Sequence, residues 1–383
     1  MRILRSRLVI VCIGVLLAGT AAAAAELPRV KLVATGGTIS NRMGGRLTAS
    51  ELVAMIPDVH RFARPEFEQF SNVASSEITL DQWLALSRRL NELFATQPDL
   101  GGLVVTSGTD TLEELAYFLH LTVRDDRPVV VVGSMRNPST VGYEGAANLL
   151  EAFRVAASPD ARGKGVLVVL NDEINSAREV TKTDALRLQT FQSRTVGVLG
   201  VVDADRVVFY RGTVKRHTSR SEFDVSTITA LPRVDVVMVY QGAPGDLIKA
   251  AVDLGAKGIV IASAGAGATS GTQSDGLSYA TDKGAVVVTT TRTGSGRISG
   301  GRSMGAPPAA ATSATPAATG ITGASGSAAA AGAQPAGPAQ TPRGRRAFVG
   351  GEDLQPIKAR ILLMLALTRT SDPVEIQRMF IEY

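Results

Sequence analysis

Short apolar runs rich in β-branched residues alternate with stretches of helical spacing along most of this chain. Residues 31–34, 102–106, 128–132 and 165–170 are brief and bounded by glycine, proline or polar residues, which marks each as a buried strand. Between them, residues 80–94 set Leu84, Leu86, Leu90 and Leu93 at helical spacing, with Trp83 on the core side. Residues 111–121 and 144–157 predict two more helices. Residues 201–209 read as a hairpin turning at Asp203-Ala204-Asp205. After Leu231-Pro232-Arg233 the alternation restarts, with strands over 234–240, 258–262 and 285–289 and a helix over 245–254. Helices over 355–369 and 373–380 close the chain, the last with Asp372 as N-cap and Pro373 at its first position. The pattern predicts an α/β fold of two domains, each a mainly parallel sheet with flanking helices. The larger domain covers residues 26–230 and the smaller covers residues 234–383.

Two segments stand outside this alternation. Arg2, Arg5 and Arg7 precede an apolar run over residues 8–19, and small residues follow from Thr20 to Ala25. That order predicts a signal peptide over residues 1–25 rather than a membrane span, with release into a periplasmic or extracellular space. Thr20 stands where a lipoprotein would carry its lipidated cysteine, so no membrane attachment is expected after cleavage. Residues 305–346 are almost entirely Ala, Gly, Pro, Ser and Thr. They have too little apolar surface to offset their ordering entropy, and a disordered insertion is expected.

Charge and cysteine narrow the reading further. Without residues 1–25 the chain holds 37 basic against 35 acidic residues, so the net charge falls from +5 to +2 and no nucleic-acid partner is expected. The one cysteine, Cys12, lies in the same segment, and the mature chain should therefore contain no disulfide. A length of 383 residues suits two domains.

The candidate chemistry collects at strand exits. The first strand ends in Thr35-Gly36-Gly37-Thr38, where paired glycines permit a sharp turn and a close approach of backbone N–H groups to a ligand. Open α/β sheets hold ligands at strand carboxyl ends, although the same tetrapeptide also makes a plain tight exit capped by threonines. A second exit, Thr106-Ser107-Gly108-Thr109-Asp110-Thr111, opens a helix whose free N–H groups suit an oxyanion. There Thr109 or Asp110 is equally plausible as an N-cap, with Glu113 or Glu114 closing a capping box. The third piece, Val180-Thr181-Lys182-Thr183-Asp184, puts a lysine in a polar loop. It is either solvated or, if buried beside the other exits, a general base. A threonine hydroxyl requires such a partner, and His60, His120 and His217 sit in unrelated contexts. Metal-ligand spacing and nucleotide fingerprints are missing from the sequence. Threonines, a lysine and an aspartate at strand ends fit acyl transfer through a threonine ester.

Four stretches together resemble the signatures of the bacterial L-asparaginase/glutaminase family, in particular its secreted form. They are Leu32-Val-Ala-Thr-Gly-Gly-Thr-Ile-Ser40, Gly102-Leu-Val-Val-Thr-Ser-Gly-Thr-Asp-Thr-Leu112, Val180-Thr-Lys-Thr183 and the closing Lys358-Ala-Arg-Ile-Leu-Leu-Met-Leu-Ala-Leu-Thr368. The resemblance covers residues 27–383 apart from the insertion. It implies hydrolysis of L-asparagine, with L-glutamine as a further substrate, in a cofactor-free homotetramer with sites at subunit interfaces. By position, Thr38 corresponds to the nucleophile that forms the acyl-enzyme, and Thr109 and Lys182 to the pair that activates a hydroxyl. Asp110 corresponds to the holder of the substrate α-ammonium, Ser75 to the α-carboxylate contact and Ser76 to a neighbouring substrate contact. The Gly36-Gly37 turn and the N–H groups near Thr109 would hold the oxyanion.

Four departures accompany the resemblance. Ser107 replaces a histidine, and the loop after Thr38 is short, with Arg42 about where a tyrosine is usual. Ala266 replaces an asparagine, and the acidic residue that a neighbouring subunit donates has no counterpart. The last two contacts normally read the α-ammonium, so substrate choice is less constrained than reaction class. A related amidase for another small amide or a D-amino acid stays open. So does a non-catalytic periplasmic amino-acid-binding protein, which would need no paired hydroxyl and base.

Overall fold

The computed structural model describes residues 26–300 and 348–383. The expected signal peptide and low-complexity insertion lie outside the described residues. In the larger sheet the strands are β1 (Arg29–Gly36), β2 (Arg64–Val73), β3 (Leu100–Thr106), β4 (Val129–Val132), β5 (Val166–Leu170), β6 (Glu173–Ser176), β7 (Gly200–Val202) and β8 (Val207–Phe209). Their spatial order is β8-β7-β6-β5-β4-β3-β1-β2. The five strands from β5 to β2 are parallel, and β6, β7 and β8 extend the sheet antiparallel. The chain leaves β1 for β2 on one side, then returns to β3 on the other. Strand order therefore reverses between β1 and β3, and a crevice opens at their carboxyl ends.

The helices are α1 (Ala49–Ala54), α2 (Leu80–Thr96), α3 (Leu112–Thr122), α4 (Gly145–Ala157), α5 (Asp246–Asp253), α6 (Gln273–Asp282), α7 (Pro356–Leu367) and α8 (Pro373–Glu382). Strand alternation sorts the core. Leu32, Val104, Val130 and Leu167 lie in register and pack with Leu52 of α1 and Leu149 and Phe153 of α4. Val33, Val105, Val131 and Val168, one residue on, face α2, α3 and α7. A second parallel sheet, β9 (Val234–Met238), β10 (Gly258–Ser263), β11 (Val286–Thr291) and β12 (Val349–Gly350), carries α5 and α6 on one face. Its other face meets α7, whose residues from Ala359 to Ala366 are buried nearly all round. A helix apolar on every side must be enclosed, and α7 is enclosed between the two sheets. No described helix is long and apolar enough to cross a membrane.

The sequence pattern missed five of these elements, the two-residue β12 among them. β2 reads RPEFEQFSNV, mostly polar with a proline near its start, because it is a half-exposed edge strand. β6 follows β5 through a two-residue turn in which Asn171 and Asp172 both take positive φ, a geometry these residues tolerate. α1 is short, and α6 is interrupted by Gly276 and serine. The hairpin of β7 and β8 and the Asp372 cap form as the pattern predicts, Asp372 Oδ1 accepting from the Val374 N–H at 3.0 Å. Trp83 is buried against Phe118.

Candidate active site

Beyond the last rungs of the β1–β3 ladder, side chains tie the two exits together. The Thr35 N–H donates to Thr106 Oγ1 at 3.0 Å, and Thr35 Oγ1 donates to the Thr106 carbonyl at 2.6 Å. Gly36 (φ +110°) and Gly37 (φ +92°) then turn the chain in a conformation that side chains disfavour. Contact at this point is backbone to backbone: a Cβ on Gly37 would lie 2.3 Å from the Gly108 nitrogen. Gly108 in turn sits against Ser75, since a Cβ there would lie 2.7 Å from Ser75 Oγ. Thr111 Oγ1 completes the junction by donating to the Ser75 carbonyl at 3.1 Å. Segments 35–38, 72–76 and 106–111 thus meet at the switch point, Ser75 buried and Ser76 exposed. Thr38 opens a single 3₁₀ turn over Thr38–Ser40 and is half-buried.

Lys182 reaches this junction from a different direction. Thr181–Lys182 pairs antiparallel with Phe191–Gln192, so the segment read as a polar loop is a short ladder. The lysine is not solvated, for its side chain is only 15% exposed. Its Nζ donates to Thr109 Oγ1 at 3.1 Å and to Asp110 Oδ1 at 2.7 Å. Thr109 is buried, whereas the Asp110 side chain is 77% exposed. Asp110, Lys182, Glu113 and residues 183–185 line an open recess of about 420 Å³. An aspartate that can face a ligand, a buried hydroxyl and an ammonium joining the two are the parts an acyl-transfer site needs.

Several roles differ from those read along the chain. Neither Thr109 nor Asp110 caps α3; Thr111 is its N-cap and makes no side-chain cap bond. Glu113 closes no capping box, and its Oε1 instead accepts from Thr181 Oγ1 and the Lys182 N–H, each at 3.0 Å. The Gly37 N–H is engaged by the Val73 carbonyl at 2.8 Å, so it is not free to bind an oxyanion, and the glycine's contribution here is close approach. Ser107 is buried and donates to the Gly108 carbonyl at 3.2 Å. Arg42 pairs with Glu51 at 3.1 Å rather than turning to Thr38. Ala266 is exposed in the loop after β10. Two contacts to the Thr38 turn were unforeseen: Tyr143 Oη donates to the Ile39 carbonyl at 2.8 Å, and Arg46 Nη1 to the Gly37 carbonyl at 3.2 Å. His120 and His217, read as unrelated, form a buried, mutually tilted pair with ring centroids 5.1 Å apart. They lie at the far end of α3 from Thr109. Among the described residues no group of His, Cys, Asp and Glu side chains is placed to hold a metal.

Residues 29–215 match the family model described as asparaginase, N-terminal, and residues 233–331 match the glutaminase/asparaginase C-terminal domain. L-asparaginase 2 of Bacillus subtilis (strain 168) is 38% identical over 94% of this chain and 87% of its own. The chain belongs to the asparaginase family. Glutaminase-asparaginase of Pseudomonas fluorescens biotype A is a further relative, 36% identical over 94% of this chain and 91% of its own length. The crystal structure of a probable cytoplasmic L-asparaginase from Campylobacter jejuni superposes with a TM-score of 0.75 at 35% identity, covering 94% of this chain and all of that one. As a member of the asparaginase family the chain is an amidohydrolase with the family's two-domain α/β fold.

Proposed function

We propose that this enzyme hydrolyses L-asparagine to L-aspartate and ammonia through an ester on Thr38, with L-glutamine as a second substrate. The observation that carries the proposal is Lys182 Nζ, held within hydrogen-bond reach of both Thr109 Oγ1 and Asp110 Oδ1 beside the exit that bears Thr38. Thr38 attacks the side-chain amide carbon; its proton moves through Thr109 Oγ1 to Lys182, acting as the neutral amine, and on to the amide nitrogen, which leaves as ammonia as the C–N bond breaks and the Thr38 ester forms. Backbone N–H groups at Thr38 and Thr109, which make no hydrogen bond among the described residues, suit the oxyanion. Water, giving a proton to the same Thr109–Lys182 pair, then attacks the ester carbon; the acyl C–O bond breaks, Thr38 Oγ1 takes the proton back, and L-aspartate is released. Ser75 and Ser76 contact the α-carboxylate side of the substrate, and Asp110 takes the α-ammonium. Asp110 is occupied by Lys182 without substrate; a bound α-ammonium competes for that carboxylate and leaves Lys182 directed at Thr109.

The mature enzyme is further proposed to act in the periplasm or outside the cell after removal of residues 1–25, as a homotetramer. The basic, then apolar, then small-residue order of that segment supports the location. Ala266, exposed where the resemblance expects an asparagine, favours one second reading, an amidase for another small amide or a D-amino acid. Ammonia release from L-asparagine, L-glutamine, D-asparagine and a simple primary amide separates the readings. L-Asparagine should be turned over fastest, and Thr38→Ala should abolish release while thermal unfolding stays cooperative. Retained turnover in that variant would remove Thr38 from its role.

A further inference from the structure

The most unusual charge in this molecule is not at the crevice but behind it. Lys358 lies on α7, where Arg360 is the one other charged residue, and is 0% exposed. Burial pushes its ammonium down to about 8. Burying an isolated ammonium is costly, and an apolar side chain of similar volume is often the more stable choice. The three N–H groups of Lys358 converge on the carbonyls of Ala177 (2.9 Å), Arg178 (3.1 Å) and Val180. Those carbonyls belong to the segment that leads into Thr181–Lys182.

Glu113 grips the same segment from the opposite domain. Its Oε1 accepts from Thr181 Oγ1 and the Lys182 N–H, while its buried Oε2 has no hydrogen-bond partner among the described residues and faces Lys358 Nζ at 3.9 Å. Glu113 lies one helical turn beyond Thr109, on the helix that Thr109 leads into. One stretch of α3 and its approach therefore meets Lys182 twice, at its backbone through Glu113 and at its ammonium through Thr109.

We infer that Glu113 and Lys358 are positioning residues that fix the backbone of residues 177–182 so that Lys182 Nζ reaches Thr109. The inference rests on the proposed roles of Thr38, Thr109 and Lys182. A lysine side chain has four rotatable bonds, and fixing its backbone is the main way to limit where its tip can go. Displacements of about 1 Å at reacting groups can cost on the order of 100-fold in rate. The smaller domain accordingly takes part in the reaction through one buried lysine, without touching substrate.

The test compares Glu113→Asp, Glu113→Gln and Lys358→Met with the wild-type enzyme, using L-asparagine at temperatures well below unfolding. Aspartate keeps the charge opposite Lys358 but withdraws the acceptor by one methylene, whereas glutamine keeps an acceptor oxygen at the same reach. Glu113→Asp and Lys358→Met should each lower kcat by at least about 10-fold with KM within about 3-fold, and Glu113→Gln should lose markedly less than Glu113→Asp. The double variant Glu113→Asp/Lys358→Met should lose little more than the worse single one, since both act through one segment. A Glu113→Asp enzyme with wild-type kcat and only a lowered Tm would overturn the inference, and so would a change confined to KM. If Lys358→Met does not fold, the aspartate and glutamine variants still decide the matter. Thr38→Ala is assayed alongside: its retained turnover would sink the threonyl-ester reading, whereas an inactive Thr38→Ala beside a fully active Glu113→Asp sinks only the positioning claim.

Discussion

Asp110 pairs with Lys182 here, and its exposure leaves it open to the substrate α-ammonium it is proposed to take during turnover. Replacing it with asparagine leaves a carbonyl oxygen for Lys182 but removes the charge that an α-ammonium would seek. Asp110→Asn should therefore lower kcat/KM for L-asparagine by about 10- to 100-fold, the range of a lost charge-assisted hydrogen bond. Turnover of a primary amide lacking the ammonium should change by less than about 3-fold, and equal losses on both substrates would contradict the assignment. At this scale the residue types of the crevice were legible along the chain, because threonine, lysine and aspartate at glycine-rich strand exits have few other uses in combination. Glu113 was not, since an acid in a first helical turn looks the same whether it caps its own helix or reaches across to Lys182. The Gly37 N–H was misread for a related reason: its partner, Val73, belongs to the strand the pattern missed.

At the scale of elements, what could be read depended on burial. Strands enclosed on both faces, such as β4 with four consecutive valines, are apolar throughout and unmistakable. β2 has one open edge and a mixed surface, so nothing in its composition separates it from a loop. Yet β2 sets the order reversal that opens the crevice, and it supplies the Val73 carbonyl at the glycine turn. The His120–His217 pair is another relation between elements that no spacing reveals. Burial holds His217 down at about 4 and His120 well below its ordinary value, each ring also repelled by positive neighbours. Both are neutral in the folded chain, whereas unfolded histidine titrates near 6.5, so the unfolded state takes up protons first as pH falls. Destabilisation should begin below about pH 6.5 and level off for His217 near pH 4. Urea unfolding at pH 7 and pH 5 should differ by roughly 1–2 kcal/mol on account of His217 alone, and His217→Gln should shrink that difference. An unchanged difference in the variant would place the acid sensitivity elsewhere.

Over the whole molecule, α7 makes the two sheets one mechanical unit. Its residues join the core under the larger sheet and also cover β10 of the smaller one. The two-domain division was legible because the strand–helix alternation restarts after residue 233, but the sharing of α7 was not, since a mostly apolar helix does not say which two surfaces enclose it. Apolar side chains remain exposed along β9 and α5, among them Met238, Leu247 and Leu254, as expected of a surface that meets another copy. Under the proposed tetramer, light scattering of the purified enzyme should give the mass of four chains, and a single-chain mass would contradict it. The account as a whole turns on an ester at one hydroxyl. Acid-quenching the enzyme during turnover of L-asparagine and digesting it for mass spectrometry tests that directly. An aspartyl adduct on the peptide bearing Thr38, missing from Thr38→Ala, is the predicted result; an adduct mapped to Thr109 or to another residue would contradict it.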